Sequence, residues 1–257
     1  MTGETGWPRT VARRGQPDSG APPPSAWPTT VRDLVAVQDA LRDAHPPGWR
    51  WTPGSLVAGC FAAPARGHAG PGAAGQPVWA GAAAYRGRRC VGRAARPARA
   101  GAGYAFGLLA LRFGAVLQAV VAALPERPDV LLVDATGLDH PRRTGLARHL
   151  GAVLDVPTVG VTHRTLLARG DWPPDQRGAT APLWLDGELV GHWVRTRSGR
   201  RPVAAHAAWR TDAETAARVV LATAGHRTPA PLREARRLAR QARAAAASAG
   251  YGATRYR

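Results

Sequence analysis

The sequence contains no lysine, no isoleucine and no asparagine, and only two cysteines, Cys60 and Cys90. All 35 basic residues are therefore arginine, set against 17 acidic ones for a formal net charge of +18. An arginine monopoly of this kind reads as a high-GC coding bias, which lowers the weight of any single arginine. Two cysteines exclude a disulfide scaffold and a four-cysteine zinc site. No run approaches the roughly 20 apolar residues that span a bilayer. The first 28 residues lack the apolar segment of a secretory signal, and the Arg13-Arg14 pair is followed by a polar, proline-rich stretch rather than by such a segment. A cytoplasmic protein without a membrane partner is the expectation. There is no P-loop, no Gly-x-Ser-x-Gly and no dinucleotide fingerprint, and His163, His192 and His206 show no zinc spacing. The glycines between Gly70 and Gly75 lack the strand-to-helix context of a phosphate cradle.

What is present is a core and a strong positive field. Hydrophobic residues make up 45% of 257 residues, enough for one large domain or two small ones. A pI near 11.7 favours anionic partners, nucleic acid first and an anionic membrane surface second, with basic tails on an ordinary enzyme as the plain alternative. Three parts are expected: a disordered Gly/Pro/Ser/Arg-rich extension over 1–28, a folded domain over 29–229, and a basic C-terminal helix and tail over 230–257.

Inside the folded part, strand and helix signals alternate. Thr30 can cap a helix that stops before Pro46-Pro47. Leu56 to Ala62 reads as a buried strand, and Val78 to Tyr85 with Arg88 to Arg96 as a hairpin through Arg86-Gly87. Phe113 to Leu124 and Arg143 to Leu154 are helical. Val130 to Val133 and Pro157 to Val161 are short apolar strands. Pro182 to Thr196 suggests a hairpin turning at Asp186-Gly187, followed by a strand over Val203 to Ala207. Thr211 is placed as the cap of a helix running to Ala224. Hairpins first, then alternation, give a mixed α/β sheet.

The segment from Val130 to Leu166 carries the chemistry. Asp134 stands at the carboxyl end of a buried strand, where open α/β sheets place reactive side chains. A glycine loop through Gly137 follows, then His140-Pro141-Arg142-Arg143, whose arginine forks can hold phosphate. The plain alternative is a helix start that carries Pro and Arg.

This segment resembles the endonuclease V family, whose pattern runs Val-Asp-Gly-x-Gly, His-Pro-Arg-Arg, and Asp-x-Pro-Thr-Ile-Gly-Val-Ala-Lys. Val57-Ala58-Gly59 resembles the family's first strand. Gly103-Tyr104-Ala105-Phe106-Gly107 through Arg112 resembles its Pro-Tyr-x-Pro-Gly block, which supplies a tyrosine wedge. Pro182-Leu183 to Arg195-Thr196 and Gly225-His226-Arg227-Thr228-Pro229 resemble later blocks. The resemblance covers residues 30 to 240. It implies a ribonuclease H-like sheet flanked by helices in a single domain, phosphodiester hydrolysis near inosine in DNA ahead of RNA, a Mg²⁺ cofactor, and a monomer. The nucleic-acid-binding positions it marks are Tyr104, Gly107, Gly137, His140, Arg142, Arg143 and Arg210.

The departures fall on the positions that the family uses for catalysis. Its first-strand aspartate aligns with Phe61, its second carboxylate with Phe113, its late histidine with Trp209 and its lysine with His163. Asp134 alone remains as a metal carboxylate, with His163 beside it as a catalytic candidate. Hydrolysis of a phosphodiester needs a metal that activates water and offsets charge, and one aspartate beside two phenyl rings is a poor Mg²⁺ site. Phe61, Phe113, Trp209, Tyr104 and Phe106 are expected to form an aromatic cluster. Asp139, Asp212 and Glu214 are the carboxylates that could rebuild the site. The reading is a nucleic-acid-binding protein with catalysis lost or much reduced. The alternatives are an active endonuclease with a rearranged site and a structural or regulatory partner that binds no nucleic acid. The arginines from Arg233 to Arg243 could follow a phosphate backbone or form a solvated face.

Overall fold

The computed structural model describes residues 27–67 and 70–254, without the side chains of 250–254. Of the expected extension over 1–28, residues 1–26 lie outside the described residues. Helix α1 (Val31–Arg42) starts at Thr30, whose hydroxyl accepts from the Asp33 N–H. Strands β1 (Leu56–Pro64), β2 (Pro77–Arg86) and β3 (Arg89–Arg99) form an antiparallel meander. Then come α2 (Leu109–Ala122), β4 (Val130–Val133), α3 (Leu146–Leu154), β5 (Thr158–Thr162), β6 (Thr180–Leu185), β7 (Glu188–Val194), β8 (Val203–Ala207), α4 (Ala213–Thr223) and α5 (Ala230–Thr254). One eight-stranded sheet results, in the order β3-β2-β1-β4-β5-β8-β7-β6, with β1, β4 and β5 parallel. The mixed sheet flanked by helices is the architecture expected from the sequence.

Three expected helix starts shift, the first being α2, which begins at Leu109 rather than at Phe113. Asp212, not Thr211, caps α4 by accepting from the Thr215 N–H, while the Thr211 hydroxyl donates to the Thr158 carbonyl. Arg143 adopts a left-handed φ of 53°, so α3 begins three residues later than the sequence suggests.

Period-two alternation sends each central strand to two cores. On one face Leu56, Ala58, Cys60, Leu131 and Val133 pack with α2 and α3. On the other, Val57, Val130 and Leu132 pack with Val219 and Val220 of α4 and Leu232 of α5. Helix α5 is part of this fold: Leu232, Ala235 and Ala239 are fully buried. Its backbone lies directly on β1 and β2 because the sheet has no side chain there. A Cβ on Gly59 would stand 2.6 Å from Pro231 and Leu232 backbone atoms, and one on Gly81 would stand 2.3 Å from the Ala235 carbonyl oxygen.

Candidate active site and its resident cation

Cys60 on β1 and Val133 on β4 are the last paired residues of those parallel neighbours. Phe61 and Asp134 are therefore the next residues on adjacent strands. By alternation, Asp134 continues the face formed by Val130 and Leu132, the face that α5 covers. Arg236 of α5 meets it there. Nε donates to Asp134 Oδ2 at 3.0 Å and Nη2 to Oδ1 at 2.9 Å, a two-pronged fork. The pair is mostly buried, with 13% and 20% of the two side chains exposed. Nη1 donates to His163 Nε2 at 3.0 Å and to the Thr228 hydroxyl at 3.3 Å. The guanidiniums of Arg236 and Arg240 lie 5.7 and 5.6 Å from the Phe61 ring centre, within cation–π range.

The chemistry of His163 follows from this contact. A guanidinium has no acceptor, so His163 Nε2 must accept and the ring is neutral. Burial, with the positive charges of Arg227 and Arg236, pushes its pKa below the ordinary histidine value. An amine at this position would be a cation; this ring serves as an acceptor for one.

Other expected site residues have structural partners. His140 Nδ1 accepts from the Arg142 N–H, so Nε2 is the donor to the Gly107 carbonyl at 2.9 Å. Burial holds its pKa down. Gln38 also donates to that carbonyl, which fixes the loop carrying Tyr104. Gly107 has a φ of 72°, which glycine adopts without strain. Arg143 is taken by the β6–β7 turn, through the Leu185 carbonyl, Asp186 and Glu188. Arg142 reaches Gln38 at 3.5 Å. Gly137 fits the Ala207 carbonyl, which would lie 2.0 Å from a Cβ. Tyr104 is exposed, as is Phe106.

The aromatic cluster does not form. Among the described residues, the ring–ring pairs join Trp27 with His149, Trp49 with Trp51 and Trp172 with Trp193, and none joins the five expected rings. Phe113 packs into the α2–α3 core with the Arg112 guanidinium over its ring. Trp209 and Arg210 lie at the other end of the sheet. Asp134 follows Val133, which pairs with Gly160, so it is level with Val161; Trp209 exchanges hydrogen bonds with Thr158 beyond the Val159–Ala207 pair. About four strand residues, roughly 13 Å, separate the two levels. Arg210 pairs there with Asp155 and the Pro47 carbonyl.

None of the candidate replacement carboxylates comes to Asp134. Asp139 is fully buried and accepts from the N–H groups of Leu166, Leu167 and Ala168, while Asp212 caps α4. Among the described residues, no group of three His, Cys, Asp or Glu side chains could hold a metal ion. The donor set does not fit Mg²⁺. Both oxygens of the one carboxylate are occupied by Arg236, and the neighbouring strand offers a phenyl ring.

Arg236 is the residue that sequence reasoning missed. The sequence groups it with the other arginines of 233–243, as a row that follows phosphates or a solvated face. The signal was Leu232, Ala235 and Ala239, an i, i+3, i+7 apolar stripe that buries one helix face and sets Arg236 at its border.

Beside Asp134 is a cavity of about 290 Å³, lined in part by Tyr104, Gly107, Thr136, His140, Leu146 and Thr162. Among the described residues, no helix is long and apolar enough to cross a membrane.

A family model for endonuclease V matches residues 74–237. The endonuclease V of Streptomyces coelicolor is 36% identical over 228 residues, 85% of this chain and 93% of that protein. The endonuclease V of Roseiflexus sp. is 41% identical over 141 residues, 54% of this chain and 64% of that protein, so the match spans just under two thirds of its length. The crystal structure of the Streptomyces avermitilis endonuclease V superposes with a TM-score of 0.75 at 33% identity, covering 87% of this chain and 97% of that one. A Ciona intestinalis endonuclease V, in complex with DNA containing an inosine followed by a ribo-adenosine, shares the fold at 19% identity, with a TM-score of 0.69 and coverage of 82% and 96%. On the family match and the Streptomyces coelicolor similarity together, this chain belongs to the endonuclease V family.

Proposed function

We propose that this chain binds nucleic acid through the endonuclease V frame and has lost metal-dependent cleavage. The observation that carries the reading is the Arg236 fork on both oxygens of Asp134. A metal would have to displace a guanidinium whose charge already neutralises the carboxylate, and it would gain no second carboxylate in return. Without a bound ion, no water is activated and the leaving oxygen is not stabilised. What remains suits recognition. The net charge of +18 attracts phosphates. The cavity beside Asp134 could take an extruded base, and the exposed Tyr104 could stack where that base leaves. DNA comes ahead of RNA as the partner. A cytoplasmic monomer is the simplest working form.

The test uses a labelled inosine-containing DNA duplex with Mg²⁺ or Mn²⁺ and protein in excess. Binding without nicking is the expected result. Nicking that disappears in Asp134→Ala would overturn the reading in favour of an active, rearranged site. Absence of binding at low salt would overturn it in favour of a structural or regulatory role.

A further inference from the structure

A second cationic site lies along α5 from the Asp134–Arg236 pair. Arg240 leans over the same Phe61 ring as Arg236. One helical turn further, Arg243 donates to the Pro64 carbonyl at the end of β1. Arg66 and Trp79 join these two arginines around a groove of about 530 Å³, with Ala244, Ala246 and Ala247 of α5 forming another wall. No carboxylate lines the groove, and among the described residues Arg66, Arg240 and Arg243 form no ion pair with an acid. Two other arginines of this helix are paired with acids: Arg237 holds Glu234, and Arg236 holds Asp134. Burial and the two neighbouring guanidiniums push the Arg243 pKa below its ordinary value, the mark of like charges held close. Such a cluster is relieved by an anion.

We propose that Arg66, Arg240, Arg243 and Trp79 form a second nucleic-acid subsite, which takes an unpaired stretch of strand with its phosphates on the three guanidiniums and a base on the Trp79 indole. The site rests on the reading that this chain binds nucleic acid. Trp79 lies two residues from Gly81 on β2, so its side chain is on the α5 side of the sheet, and the small alanine side chains opposite leave room beside the ring. Stacking on one indole needs a free base face, which a paired duplex base lacks. Arg240, which lines the groove, shares the Phe61 ring with Arg236, the partner of Asp134.

The experiment measures binding of a labelled, single-stranded, inosine-containing oligonucleotide by anisotropy over a range of salt, after circular dichroism has confirmed that each variant folds. The triple variant Arg66→Gln/Arg240→Gln/Arg243→Gln should flatten the log K against log salt slope by about 2, at about 0.7 per phosphate on single strands. Trp79→Leu should weaken binding roughly tenfold with the slope unchanged, and Trp79→Phe, which keeps an aromatic face, should restore most of it. The control Arg32→Gln/Arg88→Gln/Arg89→Gln removes equal charge from exposed positions and should leave the slope as it is. The subsite is overturned if the wild type binds but the two Trp79 variants and the first triple variant match it. It is equally overturned if the control flattens the slope as much. Loss of anionic-vesicle binding in the triple variant, with oligonucleotide binding intact, would assign the patch to lipid. A wild type that binds no oligonucleotide would instead overturn the function proposed above.

Discussion

Arg236 reaches Asp134 across 102 residues of sequence and covers both of its carboxylate oxygens, so that the charge at the end of β4 is neutralised by a side chain of α5. An ion pair of this geometry is directional, and each partner loses more when the other is removed than the pair contributes net.

Arg236→Ala should therefore leave Asp134 partly buried without its counter-charge and lower the unfolding free energy by about 1–3 kcal/mol. Arg236→Lys should recover only part of this, since an ammonium is a point charge and cannot fork onto both oxygens. Urea denaturation of the three proteins measures both effects. Equal midpoints for wild type and Arg236→Ala would show that the fork contributes nothing.

Introducing a carboxylate on β1 should not by itself create a metal site. Phe61→Asp puts a second acid beside Asp134, but Arg236 and Arg240 are both over that position and would pair with it. Calorimetry should find no Mg²⁺ binding in Phe61→Asp and should find binding in Phe61→Asp/Arg236→Ala/Arg240→Ala, where two carboxylates are free to share an ion with water. Stoichiometric Mg²⁺ binding by the single variant would show that the guanidinium does not block the site.

Gly81→Ala should push α5 off the sheet. Its Cβ would meet the Ala235 carbonyl oxygen at 2.3 Å and the Ala239 nitrogen at 2.9 Å, both backbone atoms. Overpacking of this kind costs about 1–3 kcal/mol, and each kcal/mol lowers the Tm by about 2–4 °C in a domain of this size. Gly48→Ala, where a Cβ meets nothing within 4 Å, is the control and should leave the Tm unchanged.

Stability should fall in mild acid. Burial pushes the pKa of His149 down to about 4, and that of His206 also to about 4 although nearby Asp139 opposes the shift. Among the described residues, neither His149 nitrogen has a hydrogen-bond partner, nor does His206 Nδ1. The unfolded chain protonates both near pH 6.5, so it takes up more protons than the native state below that value. Their contribution is complete above about pH 6.5 and is lost as the pH falls towards 4. Urea midpoints at pH 7.5, 5.5 and 4.5 should decrease in that order; a constant midpoint would contradict the assignment.

The sheet was legible in the sequence because its strands are short apolar runs bounded by Gly, Pro and Asp, and its hairpins turn where Arg86-Gly87 and Asp186-Gly187 allow it. Asp134 was legible because a strand end is a local feature. The partner of Asp134 was not. The stripe of Leu232, Ala235 and Ala239 sets Arg236 at the border of a buried face, but which partner it meets depends on where that face lands, and that depends on Gly59 and Gly81 more than 150 residues away. Trp209 was misplaced for a similar reason. Linear alignment set it at the catalytic position, whereas the antiparallel run of β8 past β5 carries it to the opposite end of the sheet, so changing it back would not reach Asp134.

The distance in sequence between Asp134 and Arg236 also bears on how the molecule assembles. The meander and the β4–β5 pairing can form from segments close together in the chain, but the cover over Gly59 and Gly81 comes from α5, after β8 and α4. Closing so long a loop is entropically expensive before its contacts repay it. During synthesis, an aspartate without its cation and a bare glycine-lined strip would face the solvent until α5 emerged. The helix that supplies the counter-charge of Asp134 is thus also the last piece to seal the fold, and a chain truncated before residue 230 should be caught by chaperones rather than accumulate as a smaller native protein.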